Sequence, residues 1–425
     1  MTPLAPFRTR SFRFQWPADL CTAWALEMET LILGWYILVE TGSVALLTVY
    51  GSLLFVGTLV SPVLGMLGDR LGLRNVLAAM RFSYALFAGT ILFFALTQRL
   101  SPMLVLAVAA GSGLVRPTDI GMRSALVSVT VPPVHMVAAM GISRTTQDSA
   151  RIGGALAGTG FMAIFGMAPA YMVITAIYLI GTLLTLRVDD RIAVRTVTHA
   201  RPAADTQASP WRDLRDGLVY VWYTPRLLAA MIVAALVNLT AFPLTSGLMP
   251  YIARDVFHLD QQGLGWLVAS FASGALIGSV GLSAFGARLA PGRTMLAACV
   301  AWYVCLIGFV LSSSLPLAVV LLIGAGLAQS LAMLTLTILL LRTSEARLHG
   351  RIMGVRMLAI YTLPLGLLAL GALIPNIGYH ASAMLLVVMG LLLTLTIAVK
   401  WRVDLIRPDA LGNAVQVGQT RRKVE

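Results

Sequence analysis

Apolar stretches of about 20 residues recur twelve times along this chain, and no other feature constrains its fold so strongly. At the rise of an α-helix, each is long enough to cross a hydrocarbon layer of about 30 Å. The layer offers no water to the backbone, so such segments satisfy their own amides as helices. The pattern predicts helices over 17–40, 44–67, 75–97, 102–126, 135–163 and 168–187, then 227–252, 262–286, 293–313, 315–341, 351–374 and 380–400. Only Ser312, Ser313, Ser314 and Pro316 divide the ninth from the tenth. Charged residues make up 12% of the chain, against about 25% in a typical soluble domain. The expected class is an all-α integral membrane protein with twelve transmembrane helices in two six-helix halves.

The net charge of +13 would suit a nucleic-acid binder only if it formed one soluble face. Instead the basic residues cluster in alternate connections. Arg70, Arg74, Arg191, Arg195, Arg201, Arg212, Arg215, Arg288, Arg293, Arg342, Arg347 and the tail residues Lys400, Arg402, Arg407, Arg421, Arg422 and Lys423 fall on one side. The other side holds only Arg99 and Arg254. That asymmetry predicts a multi-pass protein of the cell inner membrane with both termini cytoplasmic, and no nucleic-acid partner. The opening MTPLAPFRTRSFRF lacks an apolar run and reads as a basic anchor. Cys21, Cys299 and Cys305 all lie in apolar segments, which argues against a disulfide framework. The expected division is an N-terminal half over 1–187, a cytoplasmic linker over 188–225, a C-terminal half over 226–402 and a cytoplasmic tail over 403–425. Within the linker, WRDLRDGLVYVWYTP reads as an amphipathic helix on the membrane surface, with Trp211, Leu214, Leu218 and Val221 on one face.

The halves repeat weakly. GDRLGLR at 68–74 aligns with GARLAPG at 286–292, each in the connection after the second helix of its half. In GMLGDRLGLRN at 65–75, Gly65 and Gly68 permit close helix approach, Asp69 suits a facing helix N-terminus, and Arg70 and Arg74 face headgroups. At this position the motif resembles the signature loop of the major facilitator superfamily. The resemblance covers about residues 15–400. LILGWYILVETGSVALL at 31–47, Pro117 to Arg123 with Ala125 and Leu126, RIGGALAG at 151–158 and HGRIMG at 349–354 look like the branch that includes the enterobactin exporter. Gly154 stands where that branch often has Pro, and Glu27 and Glu29 stand where Gln-like residues are common. The resemblance implies the major facilitator fold and secondary export. It also gives Gly65, Gly68, Asp69, Arg70 and Arg74 a gating role, with Asp69 against the start of helix eleven near His349 to Met353.

Charges inside a membrane are costly and mark function. The candidates for proton coupling are Glu27 and Glu29 on helix one, Arg116 and Asp119 on helix four, and Arg144, Asp148 and Arg151 on helix five; Arg123 completes the helix-four stripe. All belong to the N-terminal half. Glu27 and Glu29 are about 200° apart around their helix and face different ways, Glu29 being slightly preferred as the proton carrier. Distance from the turn at Val131 to Pro133 pairs Asp119 with Arg144 and Arg116 with Asp148; Arg123 and Arg151 are left without a partner, and Glu27 or Glu29 could meet Arg151 only if helix one comes close. Gly154 and Gly158, with Gly274 and Gly278, predict a close contact between helices five and eight. The second half offers Asn238, Thr240, Gln329 and Ser330 to a substrate cavity, with Met249 and Met333 as adaptable neighbours, a set that suits an amphiphilic small molecule. No phosphate-binding glycine loop precedes either lysine, no HExxH occurs, and the five histidines are scattered, so neither ATP, a metal nor another cofactor is expected. The reading is a secondary exporter driven by proton exchange, not an enzyme. Its rivals are an importer or uncoupled facilitator of the same fold, and a lipid-moving or non-transporting receptor protein.

Overall fold

The computed structural model describes residues 5–59, 71–189, 210–285, 290–345 and 348–406. The loop 60–70 therefore lies outside the described residues, and with it Gly65, Gly68, Asp69, Arg70 and the expected latch. The N-terminal half consists of α1 (Arg10–Thr41), α2 (Val44–Leu53), α3 (Leu73–Leu96), α4 (Pro102–Thr130), α5 (Met136–Phe165) and α6 (Met167–Leu186). The C-terminal half follows as α7 (Pro225–Thr240), α8 (Gln261–Phe285), α9 (Pro291–Leu311), α10 (Leu315–Thr343), α11 (His349–Ile377) and α12 (Tyr379–Lys400). Nine of these are long and apolar enough to cross a membrane among the described residues. The three exceptions have separate reasons. α2 runs into residues that are not described, α5 carries Arg144, Asp148 and Arg151, and α7 is broken.

Local chemistry sets these bounds. Pro102, Pro225, Pro291 and Pro316 sit in first turns, where an amide proton would lack a partner anyway. The Ser43 and Ser101 hydroxyls accept hydrogen bonds from the Leu46 and Leu104 amides and start α2 and α4. Gly42 closes α1 at φ +61°, its N–H donating to the Leu38 carbonyl at 2.9 Å. α7 stops at Ala241 and continues as short turns, Phe242–Ser246, Met249–Tyr251 and the π-turn Ile252–Val256. Pro243 and Pro250 remove two amide donors there, so a continuous helix cannot form.

The linker helix, Pro210–Tyr223, meets α7 at a bend of 111° between Thr224 and Pro225. Its expected apolar stripe is split. Val221 is buried against the protein, and Gly217 lets the helix settle on Arg351 and Val355 of α11. Leu218, Trp222 and Tyr223 are exposed, as in an interfacial belt. Each half has its own core, around Tyr84, Tyr171 and Tyr178 in one and Trp302 and Phe309 in the other. Outward side chains such as Leu86, Phe93, Leu183, Val320 and Leu392 are exposed, as lipid contact requires. Cys21, Cys299 and Cys305 are free.

We call the face bearing the N-terminus and the connections after α4 and α6 the terminal face. The face bearing Gly42, Gly166 and Gly378 is the far face. On the far side the halves are packed together. Gly51 and Gly371 admit Leu367 and Thr48 respectively, and the Ser52 hydroxyl donates to the Pro364 carbonyl at 3.2 Å.

Candidate functional site

A central cavity lies between the halves, about 990 Å³ of empty space with its mouth included. Its charged lining is Glu27, Arg116 and Arg151, all from the N-terminal half. Tyr50, Phe55, Phe242 and Phe271 supply aromatic surface, and Thr245 and Ser246 of the broken α7 supply hydroxyls. The α7 break therefore opens a polar stretch of wall that an intact apolar helix would not present.

The glycines of α5 place the ionic pair. A Cβ on Gly154 would stand 2.9 Å from the Glu27 Cβ, and one on Gly158 would stand 2.8 Å from the Met28 Cα. Only glycine allows α1 and α5 this approach, which sets Arg151 Nε 3.7 Å from Glu27 Oε1. Both side chains keep access to the cavity, Arg151 being 44% exposed and Glu27 25%. Arg116 reaches the same space and donates from Nη1 to the Thr30 hydroxyl at 2.9 Å. Thr30 is held in turn by its own bond to the Leu26 carbonyl, and its carbonyl accepts from the Tyr50 hydroxyl. Glu29 points the other way, as the helical spacing requires. It is buried within the N-terminal half and accepts a 2.8 Å hydrogen bond from the Tyr178 hydroxyl.

The pairing by distance from the 131–133 turn is overturned. Asp119 lies 3.3 Å from Arg123 on its own helix and 3.9 Å from Arg81 of α3. Arg144 pairs within α5 to Asp148 at 3.4 Å, and Asp148 accepts a 3.1 Å bond from Ser279 of α8. Arg116 meets a hydroxyl in place of Asp148. Counting from the turn gives depth in the bilayer but not the direction a side chain takes around its helix. Arg151, unassigned by that count, pairs with Glu27 of α1 at 3.7 Å.

Helices five and eight do touch, but not through the paired glycines. The contact uses Thr159 and Ala155 against Gly265, and Asp148 against Ser279. Gly154 and Gly158 admit α1, while Gly274 and Gly278 admit the backbone of α10 at Ile323 and Leu327. The four residues offered to the cavity from the second half are all buried in the structure. Asn238 bonds to the Ala234 carbonyl and Thr240 to Tyr303, and Gln329 and Ser330 are buried on α10. Met249 is fully buried as well, and Met333 packs against the same core.

Three intramembrane charges went unread in the sequence. Asp19 and Arg81 form an ion pair, and Arg81 also donates to the Thr185 hydroxyl at 2.5 Å. With Asp119 and Arg123 they make a buried set of two acids and two bases joining α1, α3, α4 and α6. Arg356 of α11 donates to the Thr337 hydroxyl at 2.8 Å, so charge is not confined to the first half. None of the three has an opposite charge one turn away on its own helix, which is the pattern a stripe search overlooks. Their available signal was the placement of a single ionisable residue inside an apolar run. Among the described residues no group of His, Cys, Asp and Glu could hold a metal ion.

Two six-helix halves packed around a central cavity make the architecture of a membrane transporter of the major facilitator class. Structural similarity agrees with the fold. The nucleoside transporter NupG aligns with TM-score 0.69 and 14% identity over 94% of this chain and 100% of that one. A bacterial homologue of the human lysosomal transporter Spinster, inward-facing and unoccupied, aligns with TM-score 0.65 and 14% identity over 95% and 98%. Residues 1–417 match the transmembrane secretion effector family of that superfamily, and the chain belongs to it. Among named relatives, the multidrug efflux pump Tap of Mycolicibacterium fortuitum is 30% identical over 179 residues, 42% of this chain and 43% of that protein. Tap of Mycobacterium tuberculosis (strain ATCC 25618 / H37Rv) is 27% identical over 170 residues, 40% of each. The matches thus span less than half the length of these relatives.

Proposed function

We propose that this transporter is a secondary exporter of an amphiphilic small molecule, powered by proton exchange and working by alternating access. Glu27 is the coupling group in this reading. The observation that carries it is the Glu27–Arg151 pair at 3.7 Å in the cavity wall, where α1 meets α5. An ionised Glu27 holds Arg151; protonation removes the attraction and frees both side chains to rearrange. A substrate displaces the proton by occupying the same wall. Glu29, preferred on depth alone, is turned into the half and tied to Tyr178, so it fits a structural role better. Aromatic surface beside three charged groups suits a molecule with an apolar body and a polar end. Efflux is favoured by the resemblance of 31–47 and 151–158 to the enterobactin-exporter branch, and by the Tap relatives. The terminal face is cytoplasmic in this proposal, as the basic residues require.

The test uses protein reconstituted in vesicles with a fluorescent amphiphilic dye and an imposed pH gradient. Dye is expected to move against an inward proton gradient. Glu27→Gln should abolish the dependence on the gradient, and Glu29→Gln should retain it. A Glu27→Gln protein that responds to the gradient like the wild type would remove Glu27 from the coupling role.

A further inference from the structure

One bond across the halves stands apart from the rest of the far-face seal. Arg254, in the π-turn that ends the broken α7 region, donates from Nη1 to the Leu38 carbonyl of α1 at 2.6 Å. Among the described residues no other charged side chain bridges the halves on this face. The remaining contacts there are close apolar approaches, such as Pro250 against Gly34, and the Ser52–Pro364 bond. Leu38 lies in the last turn of α1, the negative end of the helix, where a guanidinium is attracted by more than the single carbonyl.

Two features make this bond releasable. The Leu38 carbonyl already accepts the Gly42 N–H at 2.9 Å, so α1 stays capped when Arg254 leaves. Arg254 is 35% exposed and has Asp255 at 3.9 Å as a second partner, so its charge is not stranded on release. The bond therefore contributes to one arrangement of the halves without being needed to fold either. It also acts on the helix that carries the site. Glu27, Thr30 and Gly34 line the cavity from α1, and Gly34 is one turn before Leu38.

We propose that Arg254 is a latch on the far-face gate: it clamps the C-terminal end of α1 to the second half while the cavity is shut on that side, and it must let go before the cavity opens there. This rests on the alternating-access reading above. Occupancy of the α1 wall by substrate would tilt α1 and strain the Arg254–Leu38 bond, which links binding to opening of the gate.

The test is the rate at which a cavity cysteine reacts with a membrane-impermeant maleimide applied from the far face. Ser246→Cys provides the reporter on the cavity wall, and the protein without that substitution gives the background from Cys21, Cys299 and Cys305. Adding Arg254→Ala should raise the labelling rate about two- to five-fold, the range for loss of one partly exposed charge–helix contact. Arg254→Lys, which keeps the charge on a shorter fork-free side chain, should fall between. Size-exclusion profiles and melting curves of the three proteins should coincide, because Leu38 keeps its Gly42 bond. Equal labelling in the Arg254→Ala and parent proteins would overturn the latch while leaving alternating access intact. Absence of far-face labelling in every protein, with or without dye, would overturn alternating access and the latch with it.

Discussion

Replacing a single glycine on α5 should separate the role of helix approach from that of helix propensity. Gly158→Ala adds a methyl group 2.8 Å from the Met28 Cα and 2.9 Å from the Met28 Cβ. Comfortable carbon contacts lie at about 3.5–4.0 Å, so α1 and α5 must part by roughly 0.7–1 Å. The Cα cannot turn aside as a side-chain tip could. Overpacking of this kind costs about 1–3 kcal/mol, against a gain of about 0.5–1 kcal/mol for Ala over Gly inside a helix. The net expectation is a destabilised protein with a lower melting temperature in detergent. The same displacement would carry Arg151 and Glu27 past 4 Å from their present 3.7 Å. Displacement of a working group by about 1 Å is expected to cut transport by an order of magnitude or more. Gly160 is the internal control, because nothing lies within 4 Å of a Cβ placed there. Gly160→Ala should leave transport unchanged and melting unchanged or slightly raised. The reasoning fails if dye transport and melting cannot distinguish the two alanine variants.

Breaking the buried quartet on one side, with Asp19→Asn or Arg81→Gln, should cost about 3–5 kcal/mol and show as poor recovery of folded protein, while the double variant should lose less than the two losses added. Ser279→Ala removes the hydroxyl that Asp148 accepts across the α5–α8 contact and should slow transport with little change in melting; a wild-type rate would make that bond incidental. Trp222→Ala with Tyr223→Ala should reduce quenching of the linker region by lipid-borne quenchers if these exposed rings sit at the headgroup level. Asp69→Asn should cut transport with expression intact, and undiminished dye transport would remove the gating role from that loop.

Length and apolarity carried the fold because they are local quantities. The α3 range needed only 24 residues of suitable composition, and the serine-rich gap at 312–314 was enough to part α9 from α10. The positions that departed from the reading are those where a helix does not continue. Pro243, Gly247 and Pro250 lie inside the apolar run read as one helix over 227–252, and the cavity's hydroxyl-bearing wall was missed with the break. The linker helix shows a subtler limit. Its amphipathic face was visible, yet the sequence of one helix does not say that Val221 turns to the protein while Leu218 turns outward.

The charges show why the site was only half legible. Helical geometry alone separated Glu27 from Glu29, since a difference of two residues turns a side chain through about 200° whatever surrounds it. Which of the two lined the cavity depended on α5, and the deciding residues there were Gly154 and Gly158, whose lack of a side chain lets Glu27 reach Arg151. Reading those glycines as a seam between α5 and α8 identified the need for a close approach and assigned it to the wrong neighbour. The pairs Asp19–Arg81 and Asp148–Ser279 fail in the same way, because each joins helices whose order around the bundle no spacing rule contains. Arg254 is the extreme case. Its partner is a backbone carbonyl, which every residue possesses, so nothing in the side-chain sequence marks Leu38 as its target. A contact of that kind is visible only once the two helix ends have been brought together.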